Sequence, residues 1–150
     1  MKIFIGADHR GYELKEEMKK LLTSQGHEVT DVGTHQKEPP CDYPQASFDV
    51  ASAVAKTEGA RGILICMTGI GHTIAANKVP GAYAALCYNK EAAVLSRQHN
   101  DANVLVLGAQ FVSSGDMTEM IGLWLKTGFE GGRHQRRVQQ IKDFERTMKA

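Results

Sequence analysis

The sequence predicts a doubly wound α/β/α sandwich around a five-stranded parallel sheet, with residues 1–150 forming one domain. Two observations lead there. Five short aliphatic runs alternate with segments whose apolar residues recur at helical spacing. The polar motifs that stand out, Asp8-His9, Cys66 to Thr68, Cys87-Tyr88 and Gly108 to Gln110, each follow one of those runs. That is where an open parallel sheet presents its ligand crevice.

Taken in order, Lys2–Gly6 reads as a buried strand, and Ala7–Gly11 as the turn into a helix striped by Leu14, Met18, Leu21 and Leu22. Gln25-Gly26 ends that helix. His27–Val32 is a second strand, followed by a polar loop, Gly33–Pro44, with three of the four prolines. Ala46, Val50, Val54, Phe48 and Ala51 mark a helix to about Lys56. Gly62–Ile65 is a strand buried on both faces, closed by Cys66, a glycine turn and a small-residue helix over Thr73–Lys78. Ala82–Cys87 is the fourth strand. Asn89 caps a helix over Lys90–Gln98, and Asn103–Leu107 is the fifth strand. Ser114 is expected to cap the helix of Met117, Ile121, Trp124 and Leu125. After Gly131-Gly132 a last helix carries only Val138, Ile141, Phe144 and Met148 as apolar positions. A stripe that narrow suits a helix packing on a partner subunit.

A net charge of +1 gives no reason to expect nucleic acid or a membrane surface as partner. The apolar N-terminal run is too short for a signal peptide or a span. Three cysteines, Cys41, Cys66 and Cys87, form no CxxC and cannot all pair, which predicts a reduced, cytoplasmic protein. The histidines and cysteines show no close ligand spacing, so no metal site is expected, and His72 is placed exposed or on a pocket rim.

The first strand–helix turn, Gly6 to Gly11, lacks GxGxxG spacing, and no GxxxxGK[ST] is present, which disfavours dinucleotide and nucleoside triphosphate chemistry. Asp8-His9 is either an oriented acid–base or binding pair, or a cap beside a solvated imidazole. Gly69-Ile70-Gly71 lets backbone N–H groups converge on an anion before a helix N-terminus, or simply makes a tight connection. The same helix end is expected to lower the Cys66 pKa; the other reading is an inert core thiol, the one adopted for Cys87. His99 and Asn100 offer an acid and an amide at a helix C-terminus, or a plain polar turn. Arg133 and Arg137, four residues apart, can grip one phosphate or form a solvated face.

Jointly, the segments GADHRGYELK, DVGTH, DYP, CMTGIGHTIAANKVPG, LSRQHNDANVLVLG and EGGRHQRRV resemble, in order and spacing, the type B ribose-5-phosphate isomerases and the related galactose-6-phosphate isomerase subunits. The resemblance runs nearly end to end. It implies a Rossmann-like fold and an aldose–ketose isomerase working through a cis-enediolate, without metal or organic cofactor. By position, Cys66 is the base between C1 and C2. The backbone of Met67, Thr68, Gly69, Ile70 and Gly71, with Asn100, holds the enediolate oxygen. His99 opens the sugar ring, assisted by Asp8 and Thr68. His9, Arg133 and Arg137 bind phosphate, and Tyr43 lines the pocket. The family's homodimers or homotetramers share sites between subunits.

Ribose 5-phosphate to ribulose 5-phosphate is the expected reaction, in pentose phosphate metabolism. The same chemistry on allose or galactose 6-phosphate, or a non-catalytic module binding a phosphorylated ligand, are the alternatives. Three positions depart from the family's habit: Met67 where a small residue is usual, and Gln110 and Tyr83 where arginine is common. Arg10, beside His9, is expected to restore the cation missing at position 110.

Overall fold

The computed structural model describes residues 1–149. The elements are β1 (Lys2–Ala7), α1 (Tyr12–Ser24), β2 (Glu28–Asp31), α2 (Tyr43–Lys56), β3 (Arg61–Cys66), α3 (Ile70–Ala76), β4 (Ala84–Leu86), α4 (Lys90–Asn100), β5 (Val104–Gly108), α5 (Ser114–Lys126) and α6 (Arg133–Thr147). The five strands join one parallel sheet in the order β2-β1-β3-β5-β4. From β1 the chain crosses to one neighbour for β2 and returns to the other for β3. The switch in strand order therefore lies between β1 and β3, whose carboxyl ends carry Asp8 and Cys66.

Alternation along the central strands sorts the core into two layers. Ile3, Ile5, Ile63, Ile65, Leu105 and Leu107 pack with Met18, Leu22, Met117 and Trp124, under α1, α4 and α5. Phe4, Leu64, Val104 and Val106 point the other way, onto Val50, Ala51, Val54 and Ala76 of α2 and α3. Each of the Val, Leu, Ile, Met and Phe side chains among them contributes about 1.5–3 kcal/mol on burial. No helix among the described residues is long and apolar enough to cross a membrane.

Several boundaries differ from expectation, each for a local reason. The N-cap of α5 is Ser113, which accepts from Asp116 N–H; Ser114 is the first helical residue, and its hydroxyl donates to Glu17 instead. Helix α3 begins at Ile70, three residues before the expected start, because Gly69 reverses the chain at φ 85°. Strand β4 is only three residues long: the Asn77 side chain takes both the N–H and the C=O of Ala84, standing in for a further strand on that edge. On α6 the structure buries Val138 and His134, while Ile141, Phe144 and Met148 are 52%, 67% and 71% exposed.

Lys15 places an ammonium in this largely apolar interior. Its side chain is fully buried, and its ammonium meets Asp31 at 2.5 Å and Glu16 at 3.1 Å, carboxylates that Lys19 also touches. Burial pushes the Asp31 carboxyl up, but hydrogen bonds from Lys15, Lys19 and Gly33 N–H outweigh it and hold the pKa at about 2. A carboxyl held below its unfolded value stabilises the fold above about pH 4, and that contribution, about 2 kcal/mol, is lost as pH falls toward about 2. Asp31→Asn leaves a buried ammonium short of its main partner. Urea denaturation at neutral pH is expected to show a loss of about 3–5 kcal/mol, with a flatter stability profile between about pH 4 and pH 2. A loss below about 1 kcal/mol, the worth of an exposed pair, would mean that Glu16 alone satisfies Lys15.

Candidate active site

The carboxyl ends of β1, β3 and β5 enclose a cleft of about 470 Å³ lined by Asp8, His9, Arg10, Tyr43, Cys66 and Met67 among others. Its floor is the β3–α3 turn. Gly69 adopts φ 85°, and a Cβ there would lie 2.5 Å from Leu86 Cδ1, so only glycine fits. The β5–α5 connection clamps the turn from the side. Ala109 N–H donates to Cys66 O (2.7 Å) and Gln110 N–H to Met67 O (2.9 Å), an approach possible because Gly108 has no Cβ to meet Thr68 O at 2.4 Å. Tyr88 OH donates to Thr68 O at 2.9 Å. The backbone around the thiol is thus fixed from three directions.

Cys66 is 6% exposed, and its Sγ accepts Gly69 N–H at 3.0 Å. The expected drop in its pKa does not occur. Burial pushes the thiol up, the Asp8 carboxylate adds to this, and the N–H groups of Gly69, Thr68 and Met67 oppose it only in part. Two features explain the miss. Helix α3 has only seven residues, so its dipole is small, and the nearest amides are partly used up. Ile70 N–H turns back to Thr68 Oγ1, while the first-turn amides of Gly71 and His72 precede the first intrahelical bond, Thr73 N–H to Gly69 O.

Asp8 shapes the turn before α1 without capping the helix, whose N-cap is Gly11. Oδ1 accepts Arg10 and Gly11 N–H, each at 3.0 Å. The carboxyl stays beside Cys66 and is 9% exposed. His9 is set by Cys41, whose O and N lie 3.2 Å and 3.3 Å from Nδ1, which leaves Nε2 directed away from that contact. Tyr43 opens α2 and packs edge-on against His72 at 5.9 Å. Met67 and Thr68 are half-buried on the cleft wall, and Ile70 faces solvent. Arg10 and Gln110 both line the cleft. Tyr83 does not; it precedes β4 at the far edge and donates to Glu145 of α6, with its phenol pushed up to about 12 by burial and that carboxylate.

The remaining expected residues lie at the opposite edge of the sheet. Helix α4 starts where β4 ends and finishes where the parallel strand β5 begins, so His99 and Asn100, in its last turn, sit at the amino ends of the strands. Arg97 fixes that end by donating to Ala102 O (2.6 Å) and Thr127 O (3.2 Å) and by pairing with Asp101 (2.9 Å). His99 stacks on His134 with centroids 4.2 Å apart, which brings Arg133, exposed like Arg137, alongside. The expected set therefore splits into two constellations that one copy of the chain does not bring together.

Two histidines escaped the sequence reading. His72 is neither exposed nor on the rim: its side chain is fully buried, with Nδ1 2.6 Å from Ser47 Oγ. Burial holds its pKa down at about 4. His134 is buried against His99, and burial, His99 and the arginines lower its pKa. Spacing gave no signal, because the partners come from different elements. For the same reason spacing did not reveal that Asp8, Cys66 and His72, and His99, Glu130 and His134, each place potential ligand atoms within 4.8 Å of one another.

The raised pKa is checked by alkylation. Iodoacetamide labelling of Cys66, followed by peptide mass spectrometry, is expected to titrate above the midpoint of a free cysteine thiol. A midpoint below that reference would restore the dipole-activated thiolate.

Comparison with known proteins joins these features. The profile of the Ribose/Galactose Isomerase family matches residues 3–141. Ribose-5-phosphate isomerase B of Escherichia coli (strain K12) is 46% identical over 144 residues, 96% of each chain. Among solved structures, Clostridium thermocellum ribose-5-phosphate isomerase B superposes with a TM-score of 0.95 at 49% identity, over 99% of both chains. The Mycoplasma genitalium ribose-5-phosphate isomerase B with bound ribulose-5-phosphate gives 0.94 at 42% identity, over 97% of this chain and 96% of that one. The chain belongs to the ribose/galactose isomerase family.

Proposed function

We propose that the chain is a ribose-5-phosphate isomerase, interconverting ribose 5-phosphate and ribulose 5-phosphate at a site built from two copies. The observation that carries this reading is Cys66: a thiol held by backbone N–H at the mouth of a polar cleft, at the strand-order switch. Abstraction of a proton alpha to a carbonyl needs a positioned base and preformed donors for the developing oxyanion. Cys66 takes the proton from one carbon and returns it to the next. Amides of the Met67–Gly71 turn and the Asn100 amide of a second copy hold the oxygen. His99 of that copy opens the ring, with Asp8 and Thr68 assisting, and Tyr43 bounds the sugar. His9, with Arg133 and Arg137 of the second copy, holds the phosphate, whose binding orients an otherwise small substrate. The reading calls for no cofactor, since thiolate and imidazole carry both proton transfers.

The split constellation supports the second copy. A homodimer or homotetramer in which α6 crosses a neighbour would cover Ile141, Phe144 and Met148 while bringing His99 to a foreign Cys66. Three free cysteines suit a cytoplasmic setting. Met67 on the cleft wall narrows it, which favours the five-carbon sugar over a hexose 6-phosphate.

Cys66→Ala is expected to lower kcat by on the order of 10³ or more while ribulose 5-phosphate still binds in calorimetry. Retained turnover would remove Cys66 as base. Co-expressed Cys66→Ala and His99→Asn chains, each inactive alone, are expected to regain roughly a quarter of wild-type activity, since random pairing rebuilds one site in half of the dimers. No recovery would place the site within one copy. Arg10→Ala is expected to raise KM by roughly 10–100-fold with kcat little changed, the worth of a charge-assisted hydrogen bond to phosphate. An unchanged KM would show that Arg10 does not replace the missing arginine.

A further inference from the structure

We infer that Asp8, Cys66 and His72 form a site for a thiophilic divalent cation of the zinc class, and that a cation held there switches the isomerase off. The second half rests on the proposed role of Cys66 as base.

The donor set is the first argument. A thiol, an imidazole and a carboxylate from three different elements place one ligand atom each within 4.8 Å of the others. Bond lengths of about 2.0–2.3 Å at tetrahedral angles put ligand atoms roughly 3.3–3.8 Å apart, so modest side-chain rotation closes the set. A single oxygen donor beside a sulfur and a nitrogen suits zinc and not magnesium or calcium.

His72 is the second, independent argument. Its side chain is 0% exposed, and Nε2 is buried with no hydrogen-bond partner. The other ring nitrogen explains why. When Ser47 Oγ gives its only hydrogen to Tyr43 O at 3.0 Å, it accepts at 2.6 Å from His72 Nδ1–H. In that tautomer Nε2 presents a lone pair. A buried acceptor without a donor is costly, and nothing in the proposed isomerisation uses it. The same chain of bonds, imidazole N–H to hydroxyl to backbone carbonyl, is the support that metal-binding histidines carry on their second nitrogen.

The other two donors are poised alike. Asp8 commits Oδ1 to the backbone of Arg10 and Gly11, which leaves Oδ2 free of those bonds. Cys66 Sγ accepts Gly69 N–H, a bond that strengthens when sulfur is a thiolate. On binding, the S–H bond breaks, its proton leaves to solvent and the Sγ–metal bond forms, with no change of oxidation state. One thiolate and one carboxylate neutralise the 2+ charge, and the fourth position opens into the cleft. The metal then holds the electron pair that would take the substrate proton.

Cobalt(II), which reports thiolate ligation through a sulfur-to-metal charge-transfer band, tests the site without reference to turnover. The full chain titrated with Co²⁺ is expected to develop that band at one ion per chain. Cys66→Ser should abolish it, and Cys41→Ser, at the other thiol of the cleft, should keep it. Ser47→Ala, which removes only the support behind the imidazole, should weaken binding roughly 10–100-fold, and His72→Ile should weaken it further. In turnover assays Zn²⁺ is expected to inhibit the wild type, reversibly by EDTA, while His72→Ile keeps turnover and resists inhibition. Absence of the band, its survival in Cys66→Ser, or indifference to both Ser47→Ala and His72→Ile would overturn the site. Cobalt bound with all these signatures but with undiminished turnover would leave the site standing and overturn Cys66 as the base.

Discussion

Everything at the carboxyl edge depends on how closely the β5–α5 connection approaches the turn after β3. Backbone meets backbone there, with Ala109 N–H on Cys66 O and Gln110 N–H on Met67 O, in a space that a single Cβ at position 108 would fill. The contact fixes the peptide planes from Cys66 to Gly69, and with them the N–H that points at the Cys66 sulfur. Neither hydrogen bond is strong in isolation, at about 0.5–1.5 kcal/mol each. Their effect is positional. A base and its oxyanion donors lose orders of magnitude in rate when displaced by an ångström, and the groups proposed for those roles hang on one rigid piece of backbone.

The sulfur sits in a place that does not favour its ionised form. Burial outweighs the amides, so the thiol pKa rises. That fits the role proposed for it, a base that takes a proton from carbon and gives it back, because a strongly acidic thiol would be a weak acceptor. It also makes the thiol's neighbours matter. Asp8 adds negative charge beside it, and His72 stays neutral, held by burial at a pKa of about 4. A thiol among a carboxylate and a lone-pair nitrogen is quiet toward protons and open to a soft cation.

The opposite edge of the sheet has its own organisation. Arg97 pins the end of α4, the His99 and His134 rings stack, and α6 departs with its arginines exposed and most of its apolar stripe uncovered. Glu145 ties the far part of α6 to the turn before β4, accepting Gly81 N–H at 2.9 Å and Tyr83 OH at 3.1 Å. Such a helix is held in direction and left unfilled on one face. The proposed second copy would cover that face.

Much of this was legible in the chain. Alternation in Ile3–Ala7, Ile63–Ile65 and Val104–Leu107 already sets the two faces of the sheet, because side chains of a strand must point alternately, and the polar residues after each strand mark the site's edge. Cys66, Asp8 and His9 could be placed on that edge from order alone. What the chain could not show is distance between elements. Ser47, Tyr43 and His72 meet only after α2 and α3 pack on one layer, so His72 looked like a surface residue. The thiol's shift depends on burial and on which amides remain free, neither of which is written in local sequence. His99 and Cys66 read as neighbours in function, yet a parallel sheet sends the end of α4 to the amino ends of the strands, away from the carboxyl end of β3. The linear pattern thus determined the fold class and the inventory of reactive groups, since periodicity and residue type are local properties. Tertiary structure alone decided which groups share a cavity, how their protons are held and which stand at the opposite edge of the sheet, because those follow from packing across the whole sheet.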